Sequence, residues 1–294
     1  MAHLTPAYGP ARAGGADLTN PRAERVRAVR ALAGRAVRER QGRFLVEGPQ
    51  GVREAVRFAP GRVEALYVTQ PAADRYPEIV GDAERGGVPL RTGTPEVLEA
   101  MSADGQGLVA VLAVAAPALD DVVASRPGVV AVLSQVRDPG NAGTVIRAAD
   151  AAGADAVVLS SGSVDPHNPK VVRSTAGSLF HLPVVAGVPL VEAVAALRRA
   201  GCAVLAADGA GEHDLDDLLD VAGAAPGGVP DLAAPTAWVF GNEAWGLDPA
   251  ERALADAVVR VPLHGRAESL NLATAATVCL YASARARRAG RREG

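Results

Sequence analysis

Residues 236–247 read Thr-Ala-Trp-Val-Phe-Gly-Asn-Glu-Ala-Trp-Gly-Leu, an apolar run closing on a glycine-rich turn that carries a carboxylate. Gly241 and Gly246 allow close backbone approach to a flat ligand, and Glu243 can accept from a donor or neutralise a cation. Residues 258–272 repeat the layout: a second apolar run, a polar loop, then Ser269-Leu270-Asn271 before an Ala-rich helix. There, backbone amides freed at a helix start converge with short polar side chains. A third group, Asp138-Pro139-Gly140-Asn141-Ala142-Gly143-Thr144-Val145-Ile146-Arg147, follows an apolar run and opens a helix. Asn141 sits near that helix start and Arg147 almost two turns on. The two cannot face one ligand unless the loop folds back or a second element intervenes. Taken singly, these groups also have plainer readings: a helix N-cap followed by a surface arginine for the third, and a helix cap at 269–271 for the second.

The elements that must position these loops follow from the apolar pattern. Strands are expected at Val129–Leu133, Ala156–Leu159, Leu182–Val185, Ala203–Ala207, Ala237–Phe240 and Val258–Val261. Helices are expected at about 141–152, 169–179, 189–200, 249–255 and 271–288. Strictly alternating solid apolar strands and helices imply a parallel sheet covered on both faces, with ligand loops at the carboxyl ends of the strands. The stretch 209–235, acidic and then Pro/Gly-rich, reads as a helical turn plus a surface loop.

Ahead of this lies a smaller α/β pattern. Helical spacing over 21–40 is interrupted at Gly34. Strands are expected at 43–48, 63–68, 88–91 and 108–114, with helices at 49–58, 74–85 and from Pro95. Residues 1–20, rich in Ala, Gly and Pro, read as a disordered leader. The domain plan is therefore a leader (1–20), a first domain (21–115), a hinge (116–127) and a second domain (128–294).

The 294 residues suffice for two domains with a sizeable core, and 49% hydrophobic with 21% charged residues is ordinary globular composition. No apolar run is long enough to span a membrane, and the start lacks a signal-peptide layout, so a cytoplasmic location is expected. Cys202 and Cys279 lie in apolar runs and read as buried thiols. The net charge of −3 argues weakly against a nucleic-acid partner, but the arginines are segregated. They crowd 22–62 (Arg22, Arg25, Arg27, Arg30, Arg35, Arg38, Arg40, Arg43, Arg53, Arg57, Arg62) and return as Arg285, Arg287, Arg288, Arg291 and Arg292. Such faces suit phosphate, although solvated helix faces explain them as well.

Together, in this order and spacing, Asn141…Arg147, Gly241-Asn242-Glu243-x-x-Gly246-Leu247 and Ser269-Leu270-Asn271 resemble the three motifs of the SpoU/TrmH group of SPOUT RNA methyltransferases. The resemblance covers about 129–288. Arg43-Phe44-Leu45-Val46-Glu47-Gly48 is similar to the L30e-like substrate-binding domain that many members carry in front. The resemblance implies an α/β fold: a C-terminal SPOUT parallel-sheet domain with a deep trefoil knot, preceded by a small L30e-like α/β domain.

It also implies function. Members bind S-adenosylmethionine in the knot and methylate a ribose 2′-hydroxyl of RNA, generally as homodimers whose site borrows from both subunits. On matching positions Gly241, Asn242, Val261, Leu263, Leu270 and Asn271 would hold the cofactor. Asp208-Gly209 is a weaker guess for a cofactor contact. Arg147 would act as base or phosphate clamp, positioned with the cofactor by Asn141, Glu243, Ser269 and Asn271. Arg43, Arg173, Arg285 and Arg287 would touch RNA, and no metal is implied. The front domain favours 23S rRNA over tRNA, by analogy with the family. An antibiotic-resistance methyltransferase acting on 23S rRNA would share this layout. Two readings of other kinds compete. A catalytically inactive RNA-binding relative is disfavoured because all five polar motif residues are present. A nicotinamide enzyme is disfavoured by the missing Gly-x-Gly-x-x-Gly fingerprint.

Overall fold

The computed structural model describes residues 16–290, which divide into two compact units. One comprises the chain up to Ala115 together with His167–Phe180, and the other comprises Ala116–Pro166 and His181 onward.

The first unit is built on β1 (Arg43–Glu47), β2 (Val63–Val68), β3 (Leu90–Thr92) and β4 (Leu108–Ala113), in the order β1-β4-β2-β3. β4 runs antiparallel to both neighbours, and β2 pairs with β3 in parallel. The helices Glu24–Ala31 and Pro95–Met101 cover one face, burying Val26, Val29, Val97, Leu98 and Met101 against Leu45, Ala65 and Val109. The helix expected over 74–85 is two, Gln70–Arg75 and Pro77–Arg85. Pro77 lacks an amide hydrogen and forces Tyr76 out of helical conformation (φ −128°, ψ 57°), so the chain breaks there and restarts. Of the expected leader, residues 1–15 lie outside the described residues. Its end is ordered: Leu18 pairs with Gly93, its amide donating to the Thr92 carbonyl at 3.0 Å.

The second unit holds seven strands, and every pairing is parallel: β5 (Val129–Leu133), β6 (Ala156–Ser160), β7 (Val184–Val188), β8 (Ala203–Ala207), β9 (His213–Asp214), β10 (Thr236–Phe240) and β11 (Ala257–Arg260). Their spatial order is β7-β6-β5-β10-β8-β11-β9. Residues of β5, β6, β8 and β10 are buried throughout their central positions, as a sheet with both faces covered requires. The two-residue β9 was not expected. It pairs only with β11 and precedes the helix Leu215–Asp220.

Two expectations about segments are corrected. The hinge 116–127 contains the helix Leu119–Ala124, whose Val122 joins the core of the second unit beside Val130, Val194 and Leu197. The stretch expected as helix 169–179 is the shorter helix Pro169–Ser174, and it belongs to the first unit. There the His167 ring lies 4.6 Å from that of Phe44 on β1, and Gly177, at φ +102°, presses against the Glu54 side chain. A β-carbon at Gly177 would collide with that side chain.

Candidate active site

β10 and β11 flank β8, so the loops leaving β8, β10 and β11 at their carboxyl ends are neighbours. Between them lies a cleft of about 410 Å³. β8 contributes Ala207, Asp208 and Gly209; β10 ends in Phe240 and is followed by Gly241, Asn242, Glu243, Ala244 and Gly246. Beyond β11 come Val261, Leu263, Glu268, Ser269 and Leu270, with Leu272 and Ala275 from the final helix. This is where a parallel sheet binds ligands. The volume falls in the range of small-molecule sites.

The turn after β10 is rigidly cross-linked. Asn242 and Gly246 exchange backbone hydrogen bonds (3.0 and 2.9 Å), with Gly246 at φ +69°. A β-carbon on Gly241 would collide with the backbone of Gly246 and Leu247, so the close approach demands glycine. The Asn242 side chain is almost fully buried. It donates to the Gln135 carbonyl at 2.7 Å and accepts from the Ala244 amide at 2.8 Å. The side chain thus pins the turn to the loop after β5. The Glu243 carboxylate accepts from the backbone amides of Asp138 (3.1 Å) and Arg137 (3.4 Å), clasping the loop after β5.

A second clasp was not anticipated. Glu251 takes part in a capping box with Asp248, and its carboxylate also accepts from the Ser134 hydroxyl (2.5 Å) and Gln135 Nε2 (3.2 Å). Next to it, Arg252 lies 3.3 Å from the Asp208 carboxylate.

The helix Pro139–Ala152 is capped by Asp138, whose carboxylate accepts from the Asn141 amide at 2.7 Å, with Pro139 at its first position. Asn271 precedes the final helix, Leu272–Gly290. Its side-chain oxygen accepts from the amides of Ala273 (2.9 Å) and Thr274 (3.3 Å), and its Nδ2 donates to Asn141 Oδ1 at 3.0 Å. Asn141 and Asn271 thus meet beside the cleft without lining it. Arg147, six residues and about 9 Å along its helix from Asn141, is exposed and does not line the cleft of its own chain.

Expected site residues therefore divide. Gly241, Asn242, Glu243, Val261, Leu263, Ser269 and Leu270 line one cleft, and Asn141 and Asn271 buttress it. Sequence reasoning missed Glu268 and Glu251. Glu268 is adjacent to the Ser-Leu-Asn run, an available signal. Glu251 had only its place three residues after Asp248, the spacing of a capping box.

The arginines expected at RNA have different surroundings in the fold. Arg173, in the first unit, is held by the buried Glu47 carboxylate and by Asp104 at 2.9 Å. Arg287 is packed on the backbone of Gly128 and donates to the Ala233 carbonyl at 3.5 Å. Arg173 thereby satisfies a buried carboxylate that would otherwise be costly, while remaining partly exposed. Arg285 is exposed, and Arg43 is exposed but pairs with Glu64 at 2.6 Å.

Other members of the basic cluster are likewise balanced. Arg35, Arg53 and Arg57 meet Glu39, Glu78 and Asp82, while Arg38 turns inward to the carbonyls of Leu32 and Ala33. Arg22, Arg27, Arg30 and Arg40 stay exposed. Arg291 and Arg292 lie outside the described residues.

Comparison with known proteins adds to this geometry. Residues 128–281 match the model of the SpoU rRNA Methylase family, and residues 23–110 match the MRM3-like substrate binding domain. The 23S rRNA (uridine(2479)-2′-O)-methyltransferase of Streptomyces viridochromogenes is 33% identical, the match covering 88% of each chain. The 23S rRNA (guanosine(2553)-2′-O)-methyltransferase of Bacillus subtilis is 34% identical over 83% of this chain and 89% of its own. An AdoMet-bound rRNA methyltransferase from Sinorhizobium meliloti superposes with a TM-score of 0.76 at 28% identity, covering 91% of this chain and 97% of that one.

Proposed function

Because the chain belongs to the SpoU rRNA methylase family, we propose that it moves a methyl group from S-adenosylmethionine to a ribose 2′-hydroxyl of 23S ribosomal RNA, acting in the cytoplasm. The observation that carries this reading is the convergence of the 241–247 and 261–270 loops on one cleft above β8. Relatives covering most of the chain carry the same activity in their names.

The residues present suit the donor. Val261, Leu263 and Leu270 offer apolar walls for an adenine ring, while Gly241 and its neighbours offer backbone edges to its polar atoms. Asp208, Glu243 and Glu268 bring carboxylates to a ligand that carries positive charge. When bound, the donor supplies an electrophilic methyl on a sulfonium. The chain's part is to hold the ribose hydroxyl in line and ease its proton loss. The family's deep trefoil knot belongs to this reading too.

Arg147 is the group assigned to the hydroxyl. A guanidinium keeps its proton at neutral pH, so clamping the adjoining phosphate and orienting the hydroxyl is the physically favoured role. Its place outside its own chain's cleft supports a homodimer in which Arg147 completes the partner's site. Val278 and Tyr281, exposed large apolar residues one turn apart on the final helix, provide a face for such pairing. RNA phosphates would be gripped by Arg22, Arg27, Arg30, Arg40 and Arg43 on the first unit and by Arg285 on the second.

The test is a map of 2′-O-methyl groups on rRNA and tRNA from cells with and without the gene. Loss of a mark confined to 23S rRNA supports the proposal. Loss confined to tRNA would move the substrate to tRNA, and an unchanged map would favour an RNA-binding protein without catalysis.

A further inference from the structure

The sequence holds two tryptophans, and they do opposite things. Trp238 on β10 is fully buried, its indole N–H donating to the Ser283 hydroxyl at 2.9 Å. Trp245, in the turn after the same strand, is 51% exposed. A lone exposed apolar side chain carries no message by itself. Three features set this one apart.

Its support is rigid. The Asn242–Gly246 bridge closes the turn, and Asn242 and Glu243 tie that turn to Gln135, Arg137 and Asp138. The backbone that carries the ring is therefore held by the turn and not by burial of the ring. It is also paired with charge: the Arg137 guanidinium carbon lies 5.2 Å from the ring centroid, and Arg137 is itself exposed. Finally, both chain neighbours of Trp245, Ala244 and Gly246, line the cleft proposed for the methyl donor. An aromatic plate with a cation against it thus stands at the rim of that cleft.

An RNA ribose whose 2′-hydroxyl must enter a cleft has to leave the stacked helix, and its base loses its neighbours in doing so. Aromatic rings and arginine planes are the groups that replace such lost stacking, and they accept any base because every base has a π-face. We propose that Trp245, backed by Arg137, is the platform on which the unstacked base of the nucleotide being methylated stacks. This rests on the 2′-O-methyltransferase reading above and deepens it. The guanidinium favours this occupant over a second copy of the chain, because it sets positive charge beside the plate where a nucleotide brings a phosphate. A stacking plate also fits a family in which similar enzymes are named for a uridine and for a guanosine.

The test uses the full-length protein, unmodified 23S rRNA transcript and the variants Trp245→Ala and Trp245→Phe. Because Trp238 is buried, acrylamide-quenchable emission reports Trp245. In the wild type, RNA should quench that emission or shield it from acrylamide, and Trp245→Phe should remove the response. Trp245→Ala should raise the KM for RNA about tenfold or more, while Trp245→Phe restores most of it. Calorimetric affinity for S-adenosylmethionine should stay within about twofold in both, within the usual scatter for a side chain outside the pocket.

An RNA KM unchanged in Trp245→Ala, or emission indifferent to RNA, would overturn the platform while wild-type methyl transfer left the function standing. A fall of Trp245→Ala to a smaller species in sedimentation would instead assign the ring to an interface between copies. Absence of methyl transfer by the wild type would bring down the underlying reading.

Discussion

The Asn271 side chain performs two tasks with its two ends: its oxygen caps the final helix, and its Nδ2 donates to Asn141 Oδ1 at 3.0 Å. One amide thereby couples the start of the last helix to the start of the helix that carries Arg147. Asn271→Ala should lose a cap worth about 1 kcal/mol, a melting shift of roughly 2–4 °C, and weaken donor binding as well. Asn141→Ala should weaken binding with a smaller loss of stability, because its own backbone remains capped by Asp138. Calorimetry and thermal melts of both single variants check the division. Equal melting losses in the two would show that the contact, and not the cap, dominates.

Arg147 stands off the cleft of its own chain. Arg147→Ala should abolish methyl transfer while leaving donor affinity within a few fold. If each site takes Arg147 from the partner, mixing Arg147→Ala with Glu243→Ala chains regenerates one intact site per heterodimer. Random pairing then restores about a quarter of wild-type turnover from two inactive proteins. A mixture as inactive as its components would place Arg147 in service of its own chain.

Arg173 pairs with both Glu47 and Asp104. The Glu47 side chain is only 4% exposed, and the Ser102 hydroxyl also donates to it. Arg173→Ala strands that carboxylate and should cost about 1–3 kcal/mol, below the value for a fully buried pair because Arg173 is itself partly exposed. Arg27→Ala with Arg30→Ala should do the reverse, weakening RNA binding with no measurable change in a urea melt. The two assays on the two proteins make the check.

Much of this was legible in the sequence and some was not, for physical reasons. Solid apolar runs such as Val129–Leu133 declare buried parallel strands, and Gly241 and Gly246 declare a tight turn, where Gly241 has no room for a β-carbon and Gly246 takes a positive φ. The two residues of β9 are too few to carry a period. The helix Leu119–Ala124 hid in a composition that reads as a hinge, because one buried residue, Val122, is enough to dock it. Placement of His167–Phe180 with the first unit depends on contacts such as His167 with Phe44, which are remote in sequence. The basic cluster looked stronger than it is, since partners such as Glu64, Glu78 and Asp82 reach the arginines only once the chain has folded.

Burial pushes the Cys279 thiol up to about 12 and raises that of Cys202 as well. A thiol held neutral in the native state contributes stability below its ordinary pKa of about 8.5 to 9, and that contribution is lost as pH climbs toward 12, where the unfolded chain has already released the proton. The urea midpoint should therefore fall across pH 9 to 12, and Cys279→Ala should flatten part of that fall. Native protein should resist iodoacetamide at pH 8, where reaction of either thiol would contradict its burial.

The central claim is most directly tested by incubating the purified protein with methyl-labelled S-adenosylmethionine and unmodified 23S rRNA, then digesting the RNA with alkali. A 2′-O-methyl blocks cleavage of the neighbouring phosphodiester, so the account predicts label in an alkali-stable dinucleotide, absent with Arg147→Ala. Label recovered only in mononucleotides, the mark of base methylation, or no label in 23S rRNA at all, would contradict it.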